Sequence, residues 1–136
     1  MKNSFEKFYV GYSDSFKRKI SHGDVENFAK LSGDNNQLQM DQEYASSTQF
    51  QQRVVHGFLH ASLLSKLIGE KIPGPGALYL SQSIKFTAPV FINDELIVTG
   101  RVIKTNHNLH TLEVETTISK ASGEIVLSGV AKVRLL

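Results

Sequence analysis

The chain has 136 residues, a formal net charge of +2 and no cysteine. This length fits one domain, residues 1–136, with a real buried core. The small charge, carried by scattered lysines and arginines, argues against a nucleic-acid partner, and the lack of thiols excludes disulfides, thiolate metal ligands and a cysteine nucleophile.

The distribution of apolar residues predicts no export or membrane insertion. The N-terminal residues lack the apolar core of a secretory signal. No window approaches 18 uninterrupted apolar residues, the length that indicates a membrane span. We therefore expect a cytoplasmic protein with no membrane partner.

The first part of the chain predicts a strand followed by a short helix. Residues 8–20 mix aromatic and charged side chains and indicate an edge strand. Ser21 and Asp24 have the spacing of a capping box, and Gly33 is placed to end the helix that follows. Asp34 should then lie on a loop just past the end of that helix.

The strongest helix pattern covers residues 54–72. Apolar side chains surround much of this segment, which predicts a helix buried on most sides. The sequence Pro-Gly-Pro-Gly at residues 73–76 must end it. A shorter helix is expected earlier, after Asp41, whose side chain can cap it.

Four strands are predicted after this turn. Apolar and polar residues alternate in four successive segments, namely residues 78–86, 96–102, 112–118 and 125–135. A strand, short helices, one long buried helix and four strands fit an antiparallel sheet wrapped around a central helix. The predicted fold class is therefore α+β.

Three short motifs suggest chemistry. Residues 31–45 read LSGDNNQLQMDQEYA, residues 54–57 read VVHG, and the turn at residues 73–76 leads to LSQSIKF at residues 80–86 and PVF at residues 89–91. Together these motifs are similar to those of the (R)-specific enoyl-CoA hydratases, also called MaoC-like hydratases, and the similarity covers nearly the whole chain. The resemblance implies the hot-dog fold, which is the α+β arrangement predicted above.

The resemblance also implies an activity on acyl thioesters. Members of that family add water across the trans-2 double bond of an enoyl thioester, or remove it from the (R)-3-hydroxyacyl thioester. The implied catalytic groups are Asp34 and Gln39, which hold and activate the water, and the backbone N–H of Gly57, which binds the thioester oxygen. We expect further substrate contacts from Asn36, His56, Ser62 and Ser65.

Elementary chemistry supports two of these roles. Hydration of an enoyl thioester builds negative charge on the carbonyl oxygen, and a helix N-terminus offers that oxygen unpaired N–H groups and a partial positive charge. Gly57 allows the ligand to approach the backbone closely. The carboxylate of Asp34 can take a proton from water.

Gln39 departs from the family pattern, because the family has its catalytic histidine there. An amide can orient water, but it cannot accept and return a proton near neutral pH. Losing a positioned proton-transfer group typically costs about 10²- to 10⁴-fold in rate. Three functions therefore stay open: a reduced or specialised hydratase or dehydratase, a thioester-binding homologue or partner subunit without catalysis, and a thioesterase.

The expected partners follow from the same resemblance. The ligand is an acyl-CoA or acyl-carrier-protein thioester, and the exposed edge strands of a single sheet favour a homodimer or a dimer of dimers. No set of histidines and carboxylates has metal-ligand spacing, so neither a metal nor a cofactor is expected. His60, one helical turn after His56, is interpreted as a packing or interface residue.

Overall fold

A six-stranded antiparallel sheet forms the largest part of a computed structural model, which describes residues 4–136. The spatial order is β1-β4-β5-β6-β2, and the short β3 also pairs with β6. Strand β1 is therefore at an edge, as predicted. The strands are β1 (Ser13–Lys19), β2 (Ala77–Gln82), β3 (Lys85–Phe86), β4 (Glu95–Asn106), β5 (Thr111–Lys120) and β6 (Ile125–Leu135).

The sheet buries one face, as the alternating sequence pattern predicted. Every second residue is buried from Leu96 to Val102 in β4 and from Leu112 to Ile118 in β5. Leu96, Val98, Leu112 and Val114 have no solvent exposure. The residues between them remain partly or fully exposed. This two-residue period matches the geometry of a strand with one covered face.

The helices cover the buried face of the sheet and precede most of the strands in sequence. A single 3₁₀ turn, Phe5–Lys7, comes before β1. The α-helices are α1 (His22–Ser32), α2 (Gln37–Met40), α3 (Gln42–Ser46), α4 (Gly57–Ala61) and α5 (Leu63–Lys66), and α5 continues into a π-helical turn, Leu67–Lys71. None of the helices within residues 4–136 has the length and hydropathy needed to cross a bilayer.

The caps of α1 agree with the sequence prediction. The Asp24 N–H donates to Ser21 Oγ at 3.1 Å, and the Ser21 N–H donates to Asp24 Oδ2 at 2.9 Å. This second hydrogen bond lowers the pKa of the Asp24 carboxyl. Gly33 ends the helix with φ +79, a left-handed conformation that glycine adopts without strain.

The long helix predicted for residues 54–72 begins three residues later than expected, at Gly57. Val54 instead forms an isolated bridge with Phe91, and the Val55 N–H donates to the Val90 carbonyl at 2.7 Å. From Gly57 the backbone stays helical through Ser62 to Lys71, although the hydrogen-bond pattern changes along it. We call residues 57–71 the central helical segment.

The strand predicted for residues 78–86 is broken in two. The chain leaves β2 after Gln82 and crosses close over β6, where a Cβ on Gly129 would lie 1.8 Å from the Ser83 carbonyl oxygen. Ser83 is held there because its N–H donates to the Val130 carbonyl, while its Oγ accepts from the Val130 N–H, each at 2.9 Å. The crossing sets the position of β3 and therefore of Phe86.

The central helical segment lies closely on the sheet. A Cβ on Gly100 of β4 would lie 3.0 Å from the side chains of Leu67 and Ile72, so a side chain there would press on both. Leu67, Ile68 and Ile72 are all buried in the same core. This packing fixes the axis of the segment and the position of its N-terminus.

Candidate active site

The loop after α1 is stabilised by its own polar side chains. The Asp34 Oδ1 accepts the Asn36 N–H at 3.0 Å, and the Asn36 Oδ1 accepts the Leu38 N–H at 3.0 Å, which caps α2. Within residues 4–136 the Asp34 carboxylate makes no other hydrogen bond or ion pair. Asp34 is exposed in the single chain, so Oδ2 is available to a ligand or to water.

His56 joins this loop to the central helical segment. The His56 ring is only 2% exposed, and its Nε2 lies 3.1 Å from the Asp34 carbonyl oxygen. Since a carbonyl only accepts, Nε2 carries the proton and donates it. His56 therefore holds the backbone of Asp34 beside the residue that begins the segment, Gly57.

Gly57 offers an unpaired backbone N–H at the start of the segment. This N–H has no acceptor among residues 4–136. A Cβ at Gly57 would lie 3.0–3.4 Å from three atoms of the Phe86 ring, so a side chain there would press on Phe86. The absence of a side chain leaves the N–H open to a ligand oxygen.

Arg53 fixes the other end of the loop. The residue is 8% exposed, and its Nε donates to the Gln39 carbonyl at 2.5 Å while Nη2 donates to Glu26 Oε1 at 3.1 Å. Nη2 also lies 3.8 Å from Met40 Sδ. One buried cation thus ties α2 to α1, which the sequence analysis did not anticipate.

Five of the seven predicted site residues lie around one cavity of about 600 Å³. We call it the larger cavity. The five are Asp34, Asn36, Gln39, His56 and Gly57, and the remaining wall is formed by Phe28, Ser32, Phe58 and Phe86.

A second cavity of about 330 Å³ adjoins the larger one, and we call it the smaller cavity. Gln39, Gly57 and Phe86 line both. His60 lines only the smaller cavity, together with apolar residues of the segments at 50–57 and 86–90.

His60 differs from the other histidines of the chain in its surroundings. It is 3% exposed, and neither ring nitrogen makes a hydrogen bond to a described residue. Burial lowers the pKa of His60 to about 4 and outweighs the opposing effect of the His56 carbonyl. His60 is therefore a neutral imidazole at pH 7.

Ser62 and Ser65 line neither of the two cavities. The Ser62 Oγ donates to the Leu59 carbonyl at 2.6 Å, and the residue lines a separate depression of about 280 Å³ beside Phe28. Ser65 is exposed on α5. Within one chain neither hydroxyl joins Asp34, and their contact with substrate stays a prediction.

No group of three or more histidines and carboxylates within residues 4–136 is arranged to hold a metal ion. The polar groups around the larger cavity are one carboxylate, two amides, a serine hydroxyl, a buried imidazole and a free backbone N–H. These groups can supply a proton acceptor and a hydrogen-bond donor for an oxygen that gains negative charge during a reaction.

Comparison with known proteins identifies the family of this chain. The family model of the MaoC like domain matches residues 11–124. The chain belongs to the MaoC-like family. The (R)-specific enoyl-CoA hydratase of Rhodospirillum rubrum is 39% identical over 129 residues, which are 95% of this chain and 89% of that protein. The 3-hydroxybutyryl-CoA dehydratase of Methylorubrum extorquens is 37% identical over 96% of this chain and 83% of its own length.

The solved structures of MaoC-like relatives bear out the predicted fold. The (R)-hydratase of A. caviae involved in PHA biosynthesis overlays on this chain with a TM-score of 0.91, at 35% identity, covering 94% of this chain and 97% of that structure. The hot-dog fold predicted from the sequence motifs is therefore confirmed.

Proposed function

We propose that this MaoC-like chain is a hydro-lyase acting on acyl thioesters, which hydrates trans-2-enoyl thioesters and dehydrates (R)-3-hydroxyacyl thioesters. The observation that carries the proposal is the pairing of Asp34 with the unpaired Gly57 N–H around the larger cavity, with His56 joining the two. The hydratase and dehydratase names of relatives that match at least 95% of this chain support it.

The proposed reaction needs only the groups around the larger cavity. Asp34 takes a proton from water while the oxygen of that water bonds to C3 of the enoyl group. The electron pair of the double bond moves toward the thioester carbonyl, whose oxygen gains negative charge and accepts the Gly57 N–H. Asp34 then returns its proton to C2, so a hydrogen and a hydroxyl have been added in total.

Gln39 has a holding role in this scheme. Its amide can accept from and donate to the water but exchanges no proton near pH 7, so Asp34 performs both proton transfers. Arg53 fixes the backbone of Gln39, which limits where that amide can lie. We expect the missing histidine to lower the rate rather than abolish it, by about 10²-fold or more.

The proposed ligand is a thioester of coenzyme A or of an acyl carrier protein, and the proposed assembly is a homodimer or a dimer of dimers. Strand β2 is at the edge of the sheet, so its outer backbone groups have no strand beside them among residues 4–136 of one chain. Leu78 and Leu80 on this strand are 46% and 48% exposed. An edge strand with exposed leucines suits pairing with a second copy.

The decisive experiment follows the enoyl-thioester absorbance of crotonyl-CoA and longer enoyl-CoAs. We expect slow hydration by the wild-type chain, loss of at least about 10²-fold in Asp34→Asn, and a gain in Gln39→His. Asp14→Asn, remote on β1, is the matched control and should behave as wild type. Absence of turnover with every CoA and carrier-protein enoyl substrate would contradict the proposal.

Gln39 also supports a second candidate, a thioester-binding chain without catalysis. In that case calorimetry would detect acyl-CoA binding while every variant, including Gln39→His, stayed inactive. A thiol-reactive dye in the same assay would report thioester cleavage and so identify a thioesterase.

A further inference from the structure

His60 is the clearest buried polar group that the proposed hydration does not use. Its side chain lines the smaller cavity, its residue is 97% buried, and both ring nitrogens lack a hydrogen-bond partner among residues 4–136. A buried polar group without a partner destabilises the folded chain. Such a group points to a ligand that supplies the missing hydrogen bond.

The chemistry of the smaller cavity restricts that ligand. The wall contains no charged side chain, and apart from His60 its polar side chains are only Gln39 and Thr87. A neutral imidazole has one donor and one acceptor. The fitting ligand is therefore uncharged and mostly apolar, with a group that can donate or accept a hydrogen bond.

The residues that line both cavities restrict the ligand further. In the proposed reaction the Gly57 N–H binds the thioester oxygen, and the reacting carbons lie toward Asp34 in the larger cavity. Gly57 also lines the smaller cavity, whereas Asp34 lines only the larger one. The thioester group at Gly57 would therefore extend its sulfur-linked portion into the smaller cavity.

We propose that the smaller cavity receives the pantetheine arm that coenzyme A and carrier-protein thioesters share, and that His60 hydrogen-bonds an amide of that arm. This inference rests on the proposed function. The arm alternates methylene groups with amides, which matches an apolar wall with one neutral imidazole. A hydrocarbon acyl tail would leave both ring nitrogens unpaired, so it fits the cavity less well. His60 is then a residue that selects for the carrier arm and takes no part in proton transfer.

The test compares two crotonyl thioesters that differ only in the arm. Crotonyl-N-acetylcysteamine has the first amide of the arm, whereas S-pentyl thiocrotonate has a chain of the same length without it. We expect His60→Leu to lower kcat/KM for the first thioester about 3- to 10-fold and to leave the second unchanged. His60→Gln, which keeps a donor and an acceptor, should restore part of the preference for the amide, and the exposed His107→Leu is the matched control.

Two results would overturn the inference. One is an equal preference for the amide-bearing thioester in wild type and His60→Leu. The other is a gain of activity on long enoyl chains in His60→Leu with that preference intact, because it would assign the cavity to the acyl tail.

A binding measurement distinguishes a failure of this inference from a failure of the proposed function. Calorimetry with butyryl-CoA, which has no double bond to hydrate, requires no turnover. We expect about 3- to 10-fold weaker binding by folded His60→Leu even if the wild type proves inactive as a hydratase. Equal affinities of wild type, His60→Leu and His60→Gln would overturn the role of His60, whereas turnover of no enoyl thioester would overturn only the hydratase reaction.

Discussion

Arg53 shows how one side chain can order the candidate site without contacting substrate. Its guanidinium donates to the Gln39 carbonyl and to Glu26, and so connects α2 to α1. Arginine suits this position because its fork of donors has a fixed geometry.

The contacts of Arg53 lead to a prediction. Arg53→Gln should lower the free energy of unfolding by about 1–3 kcal/mol, because the Gln39 carbonyl and the Glu26 carboxylate lose their donors. Hydrogen exchange at the amides of residues 38–41 should be faster, and kcat should fall more than KM rises. Arg101→Gln, exposed on β4, is the control. Unchanged exchange in this loop would contradict the positioning role.

The burial of His60 leads to a prediction about pH. Its pKa is near 6.5 in the unfolded chain and about 4 in the folded chain, so the unfolded chain binds more protons between those values. The stability that neutral His60 contributes is therefore complete above pH 6.5 and is lost as pH falls toward 4, by on the order of 3 kcal/mol. Melting temperatures should fall less steeply over this range in His60→Leu. Parallel curves for the two proteins would show that His60 does not titrate in this way.

The sequence predicted the polar residues of the loop after α1 as site residues, but it did not predict the contacts of Arg53 or the unpaired ring of His60. Asp34, Asn36, Gln39, His56 and Gly57 lie in two short motifs, and the structure brings both motifs to one cavity. Arg53 contacts residues 13, 14 and 27 positions away, so no local spacing indicates its burial. The interpretation of His60 as packing predicted its burial, but its lack of hydrogen-bond partners appears only in three dimensions.

At the scale of elements, strands were easier to predict than helix boundaries. The alternation in β4, β5 and β6 is a direct consequence of one covered face. The predicted helix included Val54 and Val55 because apolar residues are compatible with both helix and strand. In the structure these two residues pair with the segment at residues 90–91. The break after β2 depends on the close crossing over Gly129, which involves a residue 46 positions from Ser83.

The contact between α4 and β3 leads to a prediction. In Gly57→Ala the new Cβ would lie 3.0 Å from the Phe86 ring, which must move aside, so the wall of both cavities changes. We expect a folded protein whose kcat/KM is lower by about 10-fold or more, since the ligand oxygen can no longer approach the N–H closely. Gly69→Ala is the control in the same segment, because no atom lies within 4 Å of its added Cβ. Equal activity in the two variants would exclude a close ligand approach at Gly57.

At the scale of the whole molecule, the edge of the sheet at β2 leads to a prediction about assembly. If a second copy pairs there, light scattering should give twice the mass of the chain, or a multiple of that. Leu80→Lys should shift the mass toward the monomer, because a charge would replace an exposed leucine in the interface. Leu109→Lys, at an exposed leucine on the β4–β5 turn, is the control. A monomeric wild type at micromolar concentration would contradict the proposed dimer.

In the proposed binding mode, Phe86 couples the substrate range on the two sides of the thioester. The centroid of its ring lies 5.5 Å from that of the His60 ring and 6.0 Å from that of the Phe58 ring, both in T-shaped arrangements. Phe86 also lines both of the cavities that Gly57 lines. A smaller residue at position 86 would enlarge both spaces together. A substitution at Phe86 that admits a bulkier acyl group would therefore also make the chain less selective for the carrier. Changing the acyl preference without the carrier preference requires substitutions at residues that line only one of the two cavities.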